Sequence, residues 1–267
     1  MMRRLGSKIY MALVFIFLYA PVVVLIVFSF NKAKSRAVWG GFTLDWYRKL
    51  LQNDEILNAL KITLIVALIS AVAATFIATL TCLGLNAMRR RWRSLIMNIT
   101  YIPNITPDLV TGIALMLLFF FIGMQTGFLT LLLAHIAFNI PYAILSISPK
   151  LKQLDRNLYE AALDLGCKPR QAIVRVILPE IMPGIVTALL LTFTLSIDDF
   201  VISYFTAGNQ ITTLAITIYS MARKSVNPQI NALSTLLFVA VLSLLLLVNS
   251  RGSRDQKNKT KNGGMQS

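Results

Sequence analysis

The chain has 267 residues, of which 56% are hydrophobic and 14% charged, and its mean hydropathy is +0.68. That composition excludes a water-soluble globule, and it excludes a disordered chain, which requires low hydrophobicity. Lys and Arg number 26 against 11 acids, a formal charge of +15, so where the basic residues fall on a mostly apolar chain decides its topology.

A helix that crosses about 30 Å of hydrocarbon needs about 20 mainly apolar residues. Arg3, Arg4 and Lys8 lead into an apolar run, 9–30, longer than a signal-peptide core and without a small-x-small cleavage site; it reads as a retained first span. Runs at roughly 62–85, 95–122, 128–147, 181–204 and 231–248 supply five more. Spanning backbone must satisfy its own polar groups, and these runs lack the ten-residue alternation of barrel strands. The fold class is therefore all-α and membrane-integral, with six transmembrane helices over residues 9–250, a short N-terminus at 1–8 and a basic tail at 251–267.

Assigning Lys and Arg to the gaps places 18 on the side of the N-terminus, the 86–94 gap, the 148–180 gap and the tail, and 8 on the side of the loops at 31–61 and 205–230. The positive-inside rule then puts both termini in the cytoplasm, despite the cluster Lys32, Lys34, Arg36, Arg48, Lys49 and Lys61 in the first outer loop. Topology and contact with membrane lipid account for the excess positive charge, and no nucleic-acid partner is needed. The chain shows no soluble domain, low-complexity linker or internal repeat.

Cys82 in an apolar run and Cys167 in a polar loop read as free thiols. With His135 the lone histidine, no metal set is expected, and His135 fits a hydrogen-bonded core position better than a proton relay. No Gly precedes a Lys, so the phosphate-cradling loop of a nucleotide-binding site cannot occur. The chain carries no cofactor, and ATP-driven work requires another subunit.

The large inner loop, 150–180, carries the strongest pattern. Leu154, Leu158, Ala161, Ala162 and Leu165 recur at helical spacing. Gly166 suits a left-handed cap, Pro169 the first turn of a second helix, and Ile173, Val174 and Ile177 form its stripe until Pro179. This short helix–turn–helix suits either a connector or a docking knob. Ala161 and Ala162 offer a low face to a partner and Glu160 an ion-pairing rim; DNA reading is excluded by the tethers at both ends.

Glu160-Ala161-Ala162, Gly166 and Ile177-Leu178-Pro179 resemble the EAA loop of bacterial ABC-importer permeases. Leu18-Tyr19-Ala20-Pro21, Pro107-Asp108, Thr194 to Asp199 and Asn227 to Leu233 are similar to the permeases of spermidine/putrescine importers, more to the second of the pair. The resemblance covers most of residues 9–250 and implies a type I importer permease of the inner membrane. It further implies ATPase coupling through Glu160, Ala161, Ala162, Gly166, Leu178 and Pro179. Its implied partners are a second six-span permease, two ATPase copies that bind ATP and Mg, and a periplasmic polyamine-binding protein.

Asp108, Asp198 and Asp199 are the carboxylates inside the expected spans. A carboxylate at mid-membrane costs about 2.5–3.5 kcal/mol and faces a cavity or a partner. On straight helices Asp108 and Asp198 would sit roughly 20 and 26 Å from the inner boundary, although Pro103 and Pro107 can kink the third span. For a substrate bearing ammonium groups, these acids would replace hydration, with Phe200, Tyr204 and Tyr219 offering aromatic faces. Two structural roles compete, an Asp capping a broken helix and the Asp198-Asp199 pair marking a helix end or bonding nearby amides. A stripe of Ile211, Leu214, Ala215 and Ile218 in the 205–230 loop suits either a surface for the binding protein or packing on its own bundle. A self-sufficient ion-coupled carrier is the alternative transport reading; an intramembrane aspartic protease lacks its motifs.

Overall fold

A computed structural model describes residues 2–34, 38–155, 157–224 and 228–243. In chain order the helices are α1 (Met2–Ser29), α2 (Asp45–Leu51), α3 (Asp54–Ala87), α4 (Arg90–Ile105), α5 (Asp108–Phe121), α6 (Phe128–Lys152), α7 (Asn157–Asp164), α8 (Pro169–Ala172), α9 (Leu178–Asp198), α10 (Val201–Thr206) and α11 (Leu214–Lys224). A π-helical turn, Ile173–Ile177, links α8 to α9, and α12 follows at Pro228–Ser243. Among the described residues, the one extended pairing is an isolated antiparallel bridge, Asn31 with Phe42.

Four helical stretches are long and apolar enough to cross a membrane: Ser7–Ser29, Asp54–Ala87, Phe128–Lys152 and Pro169–Asp198. The expected third span is broken. Its halves, α4 and α5, meet at 107° and make a fifth crossing if taken together. Pro107 is the cause: the residue before a proline is pushed out of the helical region, and Thr106 is extended at φ −74°, ψ 140°. The straight-helix ruler for Asp108 therefore fails, since Asp108 opens a new helix. The sixth expected span corresponds to α12, whose 228–243 extent is shorter than a crossing; residues 244–248 and the tail 251–267 lie outside the described residues.

Two further expectations change at the fifth span. Pro179 does not stop the helix; the loop's second helix runs through the π turn into the membrane helix as one stretch, Pro169–Asp198. A π turn shifts the backbone bonds to wider spacing, and one directly before Pro179 accommodates a ring that has no N–H to donate. At the other end the span stops at Asp198 and not at Tyr204, because Asp199 is extended at φ −66°, ψ 119°.

The described residues divide into two compact units, one drawn from 58–217 and a flanking one drawn from 2–57 and 218–243. In the central unit, Ala67, Ala71, Ala74 and Ala78 on α3 have no exposed surface. Their spacing draws one face of α3, and small side chains let helices approach closely where lipid offers no hydrophobic drive. Ala78 and Cys82 pack with Ala143, Ile144 and Ile147 of α6 and Ile181 and Ala188 of α9. A methyl at Gly184 would meet the Lys150 stem at 2.8 Å, which shows how tightly α9 lies on α6. Within this apolar seam Asn139 donates to Ser196 at 2.7 Å and to Ser70 at 3.3 Å, satisfying polar groups that lipid could not. Leu64, Leu68, Val72 and Phe76 on the opposite side of α3 are exposed, as lipid-facing residues should be.

The flanking unit is organised by Asn31. Its side chain donates to the Val38 carbonyl at 2.8 Å and accepts from Gly40 N at 2.8 Å, while its carbonyl accepts from Trp46 Nε1 at 2.7 Å. Phe30 stacks on Phe42, and Ser29 and Tyr47 share a 2.6 Å hydrogen bond. The end of α1 is thereby fastened to α2. Ile230, Asn231, Ala232 and Leu233 of the expected Asn-Ala-Leu motif are buried.

Candidate functional site

The loop between α6 and α9 is built by three backbone devices. Asp155 Oδ1 accepts from Asn157 N at 3.0 Å at the start of α7. At its end Gly166 takes φ +87°, with Gly166 N donating to Leu163 O at 2.8 Å and Cys167 N to Ala162 O at 3.1 Å. That bond pair is a Schellman cap, which requires the left-handed conformation glycine adopts without strain. Pro169 then occupies the first turn of α8, where its missing N–H costs nothing.

The six residues assigned to coupling do not form one surface. Ala162 is buried, and Leu178 is partly buried against the α3–α6–α9 core. Leu154, Leu158 and Tyr159 pack on that same core, so the predicted stripe is mostly the loop's own anchor. Glu160, Ala161, Gly166 and Pro179 are exposed. Leu165, counted in the stripe, instead projects outward at 87% exposure, and Val174 is exposed too. Helical spacing put Leu165 in the stripe, but α7 ends at Asp164 and Leu165 falls in the turn after it. The outward face thus holds a carboxylate, small residues and two apolar side chains.

At the far end of α9 the two adjacent carboxylates differ. Asp199 is 6% exposed; Oδ1 accepts from Ile202 N at 3.2 Å and Oδ2 from Ser203 N at 2.8 Å. Its Oδ2 lies 3.6 Å from His135 Nε2, which also meets Ser203 Oγ at 3.1 Å. Asp199 is therefore a buried cap at the start of α10, each of its carboxylate oxygens accepting from a backbone amide. His135, 1% exposed, is the hydrogen-bonded core residue expected of it. Asp198, one residue earlier, is exposed.

Asp108 is exposed in the first turn of α5. That helix packs on α10 at Gly112, where an added methyl would reach Phe205 at 3.0 Å and the Val201 carbonyl at 3.4 Å. Tyr142 of α6, which sequence reasoning missed, lies within electrostatic reach of Asp108 and packs on Phe138 at 5.1 Å. Tyr204 is 56% exposed and contacts Phe200 at 5.4 Å and Phe205 at 5.5 Å. In the central unit, exposed carboxylates and aromatic rings thus stand at α5, α6, α9 and α10. Tyr219, on α11, belongs to the flanking unit and is 46% exposed.

The sequence and the helical architecture match known proteins. A family model described as binding-protein-dependent transport system inner membrane component matches residues 80–251. The spermidine/putrescine transport system permease protein PotC of Shigella flexneri is 38% identical over 99% of this chain and 99% of its own length. The putrescine transport system permease protein PotI of Escherichia coli K12 is 40% identical over 85% of this chain and 83% of its own. Among solved structures, a bacterial alginate ABC transporter in complex with an alginate pentasaccharide-bound periplasmic protein aligns with a TM-score of 0.72 at 18% identity, covering 95% of each chain. The MetNI methionine ABC transporter aligns with a TM-score of 0.59 at 20% identity, covering 76% of this chain and 95% of its own. These structures share the fold of ABC-importer permeases. The chain belongs to the family of inner membrane components of binding-protein-dependent transport systems.

Proposed function

We propose that this chain is a permease subunit of an ATP-driven polyamine importer and forms half of its translocation pathway. The carrying observation is the continuous helix Pro169–Asp198, with the exposed loop at one end and the exposed Asp198 at the other. Relatives named for spermidine and putrescine transport, matched over nearly the whole chain, support the substrate class. A second six-span permease would complete the pathway, and two copies of an ATPase, which hold ATP and Mg, would dock on Glu160, Ala161, Leu165 and Gly166. A periplasmic polyamine-binding protein would deliver substrate on the outer side, with both termini in the cytoplasm.

For a cation of several ammonium groups, carboxylates substitute for water, and aromatic faces attract without immobilising. Asp108 and Asp198 take the first role. Phe200, Tyr204 and Tyr219 take the second, with Tyr142 added beside Asp108. Asp199 sets their frame by fixing the break between α9 and α10.

Reconstitution tests this. The chain in vesicles with its three partners should show polyamine uptake that requires ATP, and no uptake alone. Glu160→Arg should abolish receptor-stimulated ATP hydrolysis with the complex still assembled, whereas Asp108→Asn with Asp198→Asn should lower uptake about tenfold or more, a loss of roughly 1.4 kcal/mol, with ATPase attachment intact. Uncoupler-sensitive uptake by this chain without any ATPase would overturn the proposal in favour of an ion-coupled carrier.

A further inference from the structure

We infer that the cleft between the start of α4 and the end of α6 holds the phosphate headgroup of an anionic membrane phospholipid through Arg90, Arg93 and Lys152. The cleft has a volume of about 1150 Å³, and these three cations line it together with Asp155 and Glu160. The cations come from the ends of membrane helices, whereas the acids stand on the coupling loop. Arg93 and Lys152 both act electrostatically on the buried Cys82 thiol.

Asp155 and Glu160 share the cleft with these cations, but neither pairs with one of them within 4.0 Å. Among the described residues, the one pairing of a basic and an acidic side chain within 4.0 Å is His135 with Asp199, so Arg90, Arg93 and Lys152 have no carboxylate at that distance. The first turn of α4 adds to the field, since it carries no acidic residue and its cap makes no side-chain hydrogen bond. Unsatisfied amides at a helix start attract anions. With the coupling loop on the cytoplasmic side, these three groups face the anionic surface of the inner leaflet, which attracts Lys and Arg near it.

The occupant is a lipid and not a soluble anion because of what adjoins the cleft. Helix α4 buries no residue of its own. Trp92, Leu95, Ile99 and Ile102 are all exposed, and their spacing draws a single apolar stripe along α4. A headgroup at Arg90 and Arg93 would lay its acyl chains along this stripe, and Trp92 would sit at the headgroup level that indole favours. The inference rests on the orientation proposed above, with the coupling loop on the cytoplasmic side.

Native mass spectrometry of the detergent-purified full chain tests it, titrated with phosphatidylglycerol or phosphatidylcholine. The wild-type chain should retain phosphatidylglycerol in preference. Arg90→Gln, Arg93→Gln and Lys152→Gln should each weaken retention about fivefold, and on the order of 100-fold together. The charge-matched variant K168Q/R170Q/R175Q should retain it as the wild type does. Equal binding of the two lipids, or equal loss in both triple variants, would overturn the inference. So would displacement of the lipid by inorganic phosphate or ATP, which would mark a soluble-anion site, or by purified ATPase subunit, which would assign the cleft to that partner. If the triple variant does not fold, the single Arg93→Gln decides. No polyamine enters the measurement, so its result stands apart from failure of the transport reading.

Discussion

At the scale of the residue, Asp198 and Asp199 show how neighbours of one type acquire different work. The extended backbone at Asp199 turns its carboxylate back onto the amides of Ile202 and Ser203 and toward His135, and Asp198 is left exposed. Asp199→Ala should therefore lower stability by about 1–2 kcal/mol, the usual cost of losing a cap, read as earlier thermal unfolding in detergent. Asp199→Asn keeps an acceptor for the amides and should recover most of that loss. If the two variants unfold alike, the charge beside His135, and not the cap, carries the stability. Gly166 was legible from the sequence because a left-handed cap is a local demand that few residues meet. The division between the two aspartates was not. Both sit in an apolar run, and the extended backbone at Asp199 together with the tertiary position of His135 distinguishes them.

At the scale of the element, α3 carries the packing argument. Ala71 has no exposed surface, and the adjacent Ser70 meets Ser196 and Asn139 across the helix contact. Ala71→Leu should overpack this seam and cost about 1–3 kcal/mol, while Val72→Leu on the exposed side should be nearly silent; thermal unfolding of the two variants in one detergent separates them. Hydropathy located the long helices, because length and apolar composition are properties of each segment alone. It misplaced two ends. Pro107 signalled a break that the structure extends to 107°, an angle the sequence pattern does not specify. Pro179 signalled a stop that the preceding π turn removes. Periodicity gave the coupling stripe but not its direction, so Ala162 was read as outward when the loop uses it, with Leu154 and Leu158, to hold itself to the bundle.

At the scale of the whole molecule, the stretch Pro169–Asp198 would, on the proposed function, convert a push on the loop into displacement of an acid roughly 45 Å away, at about 1.5 Å per residue over 30 residues. Its efficiency depends on stiffness. Val174→Gly with Arg175→Gly in the π turn adds about 1 kcal/mol of helix penalty at each position and should raise the ATP consumed per polyamine imported while leaving hydrolysis itself active. An unchanged ratio would mean that the loop transmits motion by another route. The helix α4 has a different consequence. None of its 16 residues is buried, although Met97 packs against the α3–α6–α9 core, so the bilayer itself would have to finish what the polypeptide leaves open, and the chain's tolerance of a change in lipid composition would be decided at this one rod.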